Sequence, residues 1–199
     1  RRVLFRSGVS PTTAEHVASQ FADEDLLVLD GGPCGVGLES TIVGVLPGRP
    51  PCLLRPGMID VETLQTVASC VVEADGSGDL RAPGQHRRHY APRTPALGFR
   101  IGLEGCIDLG DDVVPDGLAS VAALRDDPAT GWILCGARLV VAGPCLELGQ
   151  EAVGYARGLY AALHRLDSLG LQRILVQWPP ETPAWRPIRD RLSRALQRA

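Results

Sequence analysis

The chain has 199 residues, of which 45% are hydrophobic, 22% charged and 5% aromatic, and its formal net charge is −3. These proportions are typical of a folded globular chain and exclude a disordered or membrane-spanning one. All 20 basic residues are arginine, and neither lysine nor asparagine occurs. Their absence excludes from this chain a Schiff-base lysine, a Walker-type phosphate lysine and an asparagine partner in a catalytic triad.

The cysteines and histidines give no sign of a metal site. The six cysteines include no C-x-x-C pair, and the four histidines do not cluster with them in the sequence. No apolar run approaches the ~20 residues that a membrane span needs, and no signal peptide is visible. We therefore expect reduced thiols, a cytoplasmic location, no membrane partner and no protein-bound metal.

The first seven residues, Arg-Arg-Val-Leu-Phe-Arg-Ser, match what a common sequencing-library adapter encodes in one reading frame. We expect residues 1–7 to be non-native and leave them out of the fold prediction. The alternative is a native basic strand. If the adapter interpretation holds, the natural sequence here begins near Gly8 and has lost everything upstream.

The sequence of residues 8–74 predicts one α/β domain, or part of one. Thr12 is expected to cap the first helix, with Glu15 closing a capping box. Asp60 is expected to cap a second helix that runs to about Val72. Three short strands are predicted from apolar runs between turn residues, at Leu26–Leu29, Leu38–Leu46 and Cys52–Arg55.

The stretch 75–97 predicts a linker, because it has no periodicity and contains several glycines and prolines. Its part 76–97 carries arginines at 81, 87, 88 and 93 against Asp79. Residues 98–199 predict a second, small α/β domain. Its strands are expected at 99–103, 106–109, 132–135 and 173–177, and its helices near 117–126, 150–168 and 184–198.

Three places carry side chains suited to ligand binding, and each has a structural alternative. Ser40 lies where a glycine-rich turn enters a strand, and its hydroxyl either faces a small polar ligand or is satisfied by backbone. Arg55 ends an apolar strand and is suited either to forked recognition of phosphate or carboxylate or to a structural ion pair. The segment 86–92, with two arginines, two histidines and Tyr90, either folds over an anionic nucleotide or is a solvated basic loop.

Several motifs occur in an order that resembles the threonylcarbamoyl-AMP synthase family in its two-domain form. This form has a YrdC-like twisted-sheet domain, a linker and a smaller Rossmann-like domain. The motifs are Ser10-Pro-Thr-Thr-Ala-Glu-His-Val17, Asp30-Gly-Gly-Pro-Cys-Gly-Val-Gly-Leu-Glu-Ser-Thr-Ile-Val43, Leu54-Arg-Pro-Gly-Met-Ile59, Ala82-Pro-Gly84, His89-Tyr-Ala-Pro92 and, in the last hundred residues, Tyr155-Ala-Arg-Gly-Leu-Tyr160, Leu163-His-Arg-Leu-Asp167 and Arg191-Leu192.

The resemblance implies synthesis of threonylcarbamoyl-AMP from L-threonine, bicarbonate and ATP, with release of pyrophosphate. A downstream transferase then places the threonylcarbamoyl group on adenosine in tRNA. By motif position, Ser10 would contact ATP, Arg55 its phosphates and Ser40 the threonine, while Tyr90 would close over the nucleotide. No catalytic residue is identified by motif, and Mg²⁺ is expected to accompany ATP. Direct contact with tRNA or double-stranded RNA is a further expectation.

The sequence also departs from the family. The family's lysine–arginine motif and its Ser-Ala-Asn segment belong before Gly8 and are not present, so we expect this chain to be a fragment with part of the active site and little or no activity alone. In the last domain, Trp178 and Trp185 stand where the family has other residues. Two alternatives stay open: a YrdC-like RNA-binding module, suggested by the basic stretches 76–97 and 186–198, and a carbamoyltransferase of the hydrogenase-maturation type, whose further modules are not seen.

Overall fold

A computed structural model describes residues 8–68, 71–73, 89–102, 106–110, 121–136 and 138–196. The predictions for residues 1–7, for most of the linker and for the first part of the helix near 117–126 therefore lie outside the described residues. The described strands form two sheets, one of three strands near the N-terminus and one of five strands in the second half of the chain. This α/β arrangement confirms the predicted fold class.

The first helix, α1, spans Ala14–Gln20 and corrects the predicted cap. Thr13, not Thr12, is the N-cap: its backbone is extended and its hydroxyl accepts a hydrogen bond from the His16 amide at 3.3 Å. With the cap one residue later, Glu15 no longer occupies the position that a capping box needs. Thr12 is buried, and its amide donates to Nδ1 of the His16 ring at 3.2 Å.

The strand predicted at Leu26–Leu29 is wrong. These residues have no regular secondary structure, and Leu27 and Leu29 are 83% and 85% exposed. A strand is stable only beside a partner that completes its hydrogen bonds. In the described part of the chain, neither sheet places a strand next to this apolar run.

The smaller sheet contains three strands in the order β1-β2-β3. Strand β1 spans Ile42–Gly44, much less than the predicted Leu38–Leu46, and pairs antiparallel with β2. The bounds of β2, Cys52–Arg55, are those predicted. Helix α2 spans Val61–Gln65 and Asp60 caps it as predicted, but the helix does not reach Val72, which belongs to β3 (Val72–Glu73), a parallel strand beside β2.

The larger sheet has the order β5-β4-β8-β6-β7. Strands β4 (Ala96–Ile101), β6 (Thr130–Leu134), β7 (Cys145–Glu147) and β8 (Arg173–Gln177) run parallel, while β5 (Ile107–Asp108) is antiparallel to β4. The central strands β6 and β8 are almost entirely buried, as expected for a parallel sheet covered on both faces. Strand β7 was not predicted.

Helices α3 (Ala152–Asp167) and α4 (Arg186–Ala195) pack on one face of this sheet, and a short 3₁₀ helix, Val121–Leu124, contributes to the other face. The buried side of α3 contains the residues predicted from its 3.6-residue spacing, among them Tyr155, Leu159 and Leu163. The same core includes Val9, Leu38 and Tyr90. The N-terminal segment and the end of the linker therefore pack against α3 and α4.

Candidate functional site

The Glu39 carboxylate is the point where three parts of the chain meet. Its Oε1 accepts a 2.5 Å hydrogen bond from the Ser10 hydroxyl. Its Oε2 accepts from the Tyr160 hydroxyl of α3 at 3.0 Å and from Nε of Arg191 of α4 at 2.8 Å. Burial raises the pKa of Glu39, but the hydrogen bonds from Ser10 and Arg191 outweigh it, so the net pKa is lowered. Glu39 is therefore a carboxylate held by donors on both its oxygens.

Arg191 is fully buried, with 0% of its side chain exposed. Besides the contact with the Glu39 side chain, its Nη2 donates to the Glu39 carbonyl at 3.4 Å and its Nη1 to the Asp190 carboxylate at 2.7 Å. Its guanidinium carbon lies 5.6 Å from the centre of the Tyr90 ring, within the range of a cation–π contact. The buried cation is thus matched by two carboxylates and an aromatic face.

Ser40 is the solvent-exposed residue of the site, and the buried Arg55 lies next to it. Arg55 is at the end of β2, opposite the start of β1. Its Nε and Nη2 donate to the Ser40 carbonyl at 3.1 and 3.0 Å, and Nη2 also lies 3.4 Å from the Ser40 hydroxyl. Arg55 itself is buried, whereas Ser40 is exposed. The forked guanidinium is therefore fixed in orientation directly beside a hydroxyl that a ligand can reach.

The turn that follows β2 packs closely against Thr41, the residue between Ser40 and strand β1. The Thr41 hydroxyl donates to the Ile59 carbonyl at 2.9 Å. A Cβ on Gly57 would lie 2.2 Å from the Thr41 amide nitrogen, which no side chain tolerates. Glycine at this position therefore lets the turn pack against the ligand-facing backbone.

Tyr90 is the non-glycine residue with positive φ, +65°, in the described part of the chain. Such a backbone is costly for a bulky residue and points to a functional constraint. Its ring stacks on that of Tyr160, with centroids 5.7 Å apart, and its hydroxyl lies near enough to the Arg55 side chain for the two to interact. Burial, and secondarily the charge of Glu39, raises the Tyr90 pKa, so the phenol is neutral.

The glycine-rich segment before Glu39 rests on α3. Gly37 has a φ of +83°, and a Cβ there would lie 2.4 Å from the Arg157 Cα. The Arg157 side chain donates from Nε to the Gly35 carbonyl at 2.7 Å. The glycine at position 37 is thus needed both for its backbone conformation and for the close approach of the helix.

Two histidines pair next to Ser10. The rings of His16 on α1 and His164 on α3 are stacked, with centroids 3.9 Å apart and an interplanar angle of 21°. Nε2 of His164 lies 3.1 Å from the Ser10 carbonyl, so this nitrogen is the donor. Burial lowers the pKa of both imidazoles.

The structure brings the four residues predicted from sequence, Ser10, Ser40, Arg55 and Tyr90, into one connected set of contacts. Ser10 is joined to this set through Glu39, for which the sequence predicted no role. The contacts to Tyr160 and Arg191 were not predicted. These partners lie more than a hundred positions from Glu39, and no local pattern links residues that far apart.

Other features of the sequence have structural counterparts. Three of the arginines of α4 are engaged with carboxylates, Arg189 with Glu181, and Arg191 and Arg194 with Asp190. The cysteines at 34, 52, 106, 135 and 145 are free thiols. Within the described ranges, no group of three or more His, Cys, Asp or Glu side chains is arranged to hold a metal ion, and no helix is long and apolar enough to cross a membrane.

Comparison with known proteins gives a consistent result. Residues 59–196 match the family model described as "Threonylcarbamoyl-AMP synthase, C-terminal domain", and residues 4–57 match a model described as "Telomere recombination". A threonylcarbamoyl-AMP synthase of Schizosaccharomyces pombe is 31% identical over 203 residues, which cover 94% of this chain and 48% of that protein. One of Bacillus subtilis is 32% identical over 192 residues, 94% of this chain and 53% of that protein.

A solved structure is similar to this chain over almost its whole length. The crystal structure of Pyrococcus abyssi Sua5 complexed with L-threonine superposes with a TM-score of 0.70 at 26% identity, over 96% of this chain and 56% of that one. The chain thus spans about half the length of the relatives it matches.

Proposed function

Because this chain belongs to the threonylcarbamoyl-AMP synthase family, we propose that it is part of an enzyme that makes threonylcarbamoyl-AMP from L-threonine, bicarbonate and ATP. In this reaction the threonine amine and bicarbonate give a carbamate and water. A carbamate oxygen then bonds to the α-phosphorus of ATP, and pyrophosphate leaves. The product carries the threonylcarbamoyl group to a transferase that modifies adenosine in tRNA. A cytoplasmic location suits these substrates.

The observation that carries the proposal is the contact between Arg55 and Ser40. A planar cation whose Nε and Nη2 are fixed on the Ser40 carbonyl is oriented before any ligand arrives. Preorganised positive charge of this kind stabilises negative charge that develops during phosphoryl transfer, and it needs no rearrangement at the moment of reaction. We assign Arg55 to the nucleotide phosphates and the adjacent, exposed Ser40 hydroxyl to the threonine.

Ser10 is assigned to ATP, and its hydrogen bond limits what it can contact there. Its hydroxyl proton is committed to Glu39 at 2.5 Å, so the oxygen is left with acceptor capacity only. The complementary groups on ATP are donors, which are the ribose hydroxyls and the adenine amino group. We therefore propose that Ser10 contacts the nucleoside part of ATP rather than its phosphates.

Tyr90 is assigned to the closure of the linker over the nucleotide. The proposal is supported by its strained backbone and by its contact with Arg55, which brings the end of the linker to the phosphate-binding side chain. An ordered aromatic residue at this position would exclude water from an adenylate that hydrolyses easily. Mg²⁺ is proposed to enter with ATP, because it is commonly bound in proteins through substrate phosphates and few protein ligands.

The test uses the full-length protein encoded by the parent gene. With ATP, bicarbonate and Mg²⁺ present, addition of L-threonine should release pyrophosphate, and the adenylate should be detected by mass spectrometry. Arg55→Met should abolish the reaction, while Arg49→Met, an exposed arginine in the turn before β2, should leave it intact. Pyrophosphate release that does not depend on threonine would refute the proposal.

The alternative of an RNA-binding module has less support. In α4 the arginines 189, 191 and 194 are already paired with carboxylates of this chain, which lowers the positive charge that the helix offers to a phosphate backbone.

A further inference from the structure

Helices α3 and α4 hold the segment 35–39 that leads into Ser40. Arg157 of α3 binds the Gly35 carbonyl at 2.7 Å, and Gly37 lies against the backbone of the same helix. Arg191 of α4 then holds Glu39. The residues immediately before the proposed threonine contact are therefore fixed by the C-terminal domain.

Arg191 is the contact nearest to the ligand-facing residues. Its Nε and Nη2 bind the side chain and the main-chain carbonyl of Glu39, at 2.8 and 3.4 Å. One rigid, planar group therefore constrains both the carboxylate that orients Ser10 and the backbone that continues into Ser40. A compact ammonium or a neutral side chain at this position would not reproduce both contacts.

The charge of Arg191 has a second consequence. The Glu39 carboxylate is close enough to the Tyr90 hydroxyl to affect it electrostatically, as is Arg55. A charge on Glu39 that nothing neutralised would oppose the binding of phosphate groups at this part of the site. The buried Arg191 supplies the opposite charge, with its Nε 2.8 Å from Glu39 Oε2.

We propose that Arg191 is a positioning residue through which the C-terminal domain shapes the substrate site. It holds Glu39 so that Ser10 and Ser40 keep the orientation that ATP and threonine require, and it offsets the Glu39 charge near the Tyr90 hydroxyl. The inference rests on the proposed function, in which those two serines contact the substrates. It assigns to the second domain a direct part in substrate affinity.

Steady-state kinetics of the full-length protein test this inference. Arg191→Met should raise KM for L-threonine at least about tenfold, and Arg191→Lys should recover part of that loss because it restores the charge without the fork. Arg189→Met is the matched control, because Arg189 lies on the same helix but binds Glu181 and the Pro179 carbonyl. Its KM for threonine should equal that of the unmodified protein.

A purely structural role makes a different prediction. If Arg191→Met only unfolds some of the molecules, the maximal rate falls in proportion while KM stays unchanged, and the inference is overturned. The double variant Arg191→Met with Glu39→Gln separates the two roles further. Glu39→Gln removes the buried carboxylate that Arg191→Met leaves without its counter-charge, so thermal stability should be restored. KM for L-threonine should remain raised, because the contact between Arg191 and residue 39 is still missing.

Hydrogen exchange gives a readout that does not depend on activity. In Arg191→Met the amides of β1, which follows Ser40 and pairs with β2, should exchange at least about tenfold faster than in the unmodified protein, while those of β8 keep their protection. Unchanged exchange in β1 would overturn the inference. An unmodified protein that releases no pyrophosphate with threonine would instead refute the proposed function, so the two failures are distinct.

Discussion

The imidazole rings of His16 and His164 stack 3.9 Å apart, and they join the first helix of the N-terminal segment to the long helix of the C-terminal domain. Nδ1 of His16 accepts from the Thr12 amide, and Nε2 of His164 faces the Ser10 carbonyl. Each ring can therefore make its hydrogen bond as a neutral tautomer. Two protonated rings at this distance would repel each other within a partly buried contact.

This pair predicts a loss of stability in mild acid. Burial lowers the pKa of both histidines below the ordinary value of 6.5, so the unfolded chain binds more protons than the folded one. The contribution of the two neutral histidines to the free energy of unfolding is therefore complete above about pH 6.5. It declines as the pH falls through their lowered pKa values. Urea unfolding of the full-length protein at pH 7.5 and 5.5 measures it.

The control for the histidine prediction is the double variant His16→Asn with His164→Gln. Its amides keep an acceptor for Thr12 and a donor for the Ser10 carbonyl but do not titrate. The difference in stability between the two pH values should be smaller in this variant. Equal differences in the two proteins would show that the histidine pair does not contribute.

Gly37→Ala is predicted to destabilise the protein more than Gly48→Ala. Both glycines have positive φ, +83° and +72°, so alanine costs roughly 1 kcal/mol of backbone strain at either position. Only at Gly37 would the new methyl group overlap the Arg157 backbone, which adds about 1–3 kcal/mol. Denaturant unfolding of the two variants measures the difference, and equal losses would contradict the packing of segment 35–39 on α3.

Arg55→Lys is predicted to behave nearly as badly as Arg55→Met. The ammonium keeps the charge but cannot make the two contacts to the Ser40 carbonyl that orient the guanidinium. Loss of a preorganised donor of this kind lowers the rate by about 10²–10³-fold. Pyrophosphate release at saturating ATP measures the effect, and a lysine variant with nearly full rate would show that charge alone is sufficient.

Tyr90→Phe is predicted to weaken ATP binding about fivefold and to lower the stability of the protein by no more than about 1 kcal/mol. The ring packing on Tyr160 is retained, and only the interaction of the hydroxyl with Arg55 is lost, at a cost of about 1 kcal/mol. Tyr155→Phe is the control, because the buried Tyr155 hydroxyl has no hydrogen-bond partner among the described residues. Calorimetric titration with ATP compares them, and equal affinities for the two variants would contradict the role given to Tyr90.

Local signals in the sequence identified much of the fold. The bounds of β2 and β8 and the Asp60 cap follow from apolar runs and capping chemistry, which depend on neighbouring residues only. The strand at Leu26–Leu29 was predicted wrongly because its stability depends on a partner strand. The N-cap was misplaced by one residue because Thr12 and Thr13 are chemically equivalent.

The site could be predicted only in part. Ser10, Ser40, Arg55 and Tyr90 were named from motif position, and the structure joins them in one set of contacts. The partnership of Glu39 with Arg191 could not be predicted, because it depends on how α4 packs against the N-terminal segment. In sequence, Arg191 belongs to a short motif in a basic helix and nothing there gives it a role, whereas in the structure its complete burial separates it from the other arginines of the helix.

The most direct test of the central claim follows the carbon of bicarbonate into the product. The full-length protein is incubated with ATP, L-threonine and ¹³C-labelled bicarbonate, and the adenylate is analysed by mass spectrometry. We predict a threonine-containing adenylate whose mass shifts with the label, and its loss in Arg55→Met. An adenylate without the label, or ATP consumption with no adenylate bearing threonine, would contradict the account.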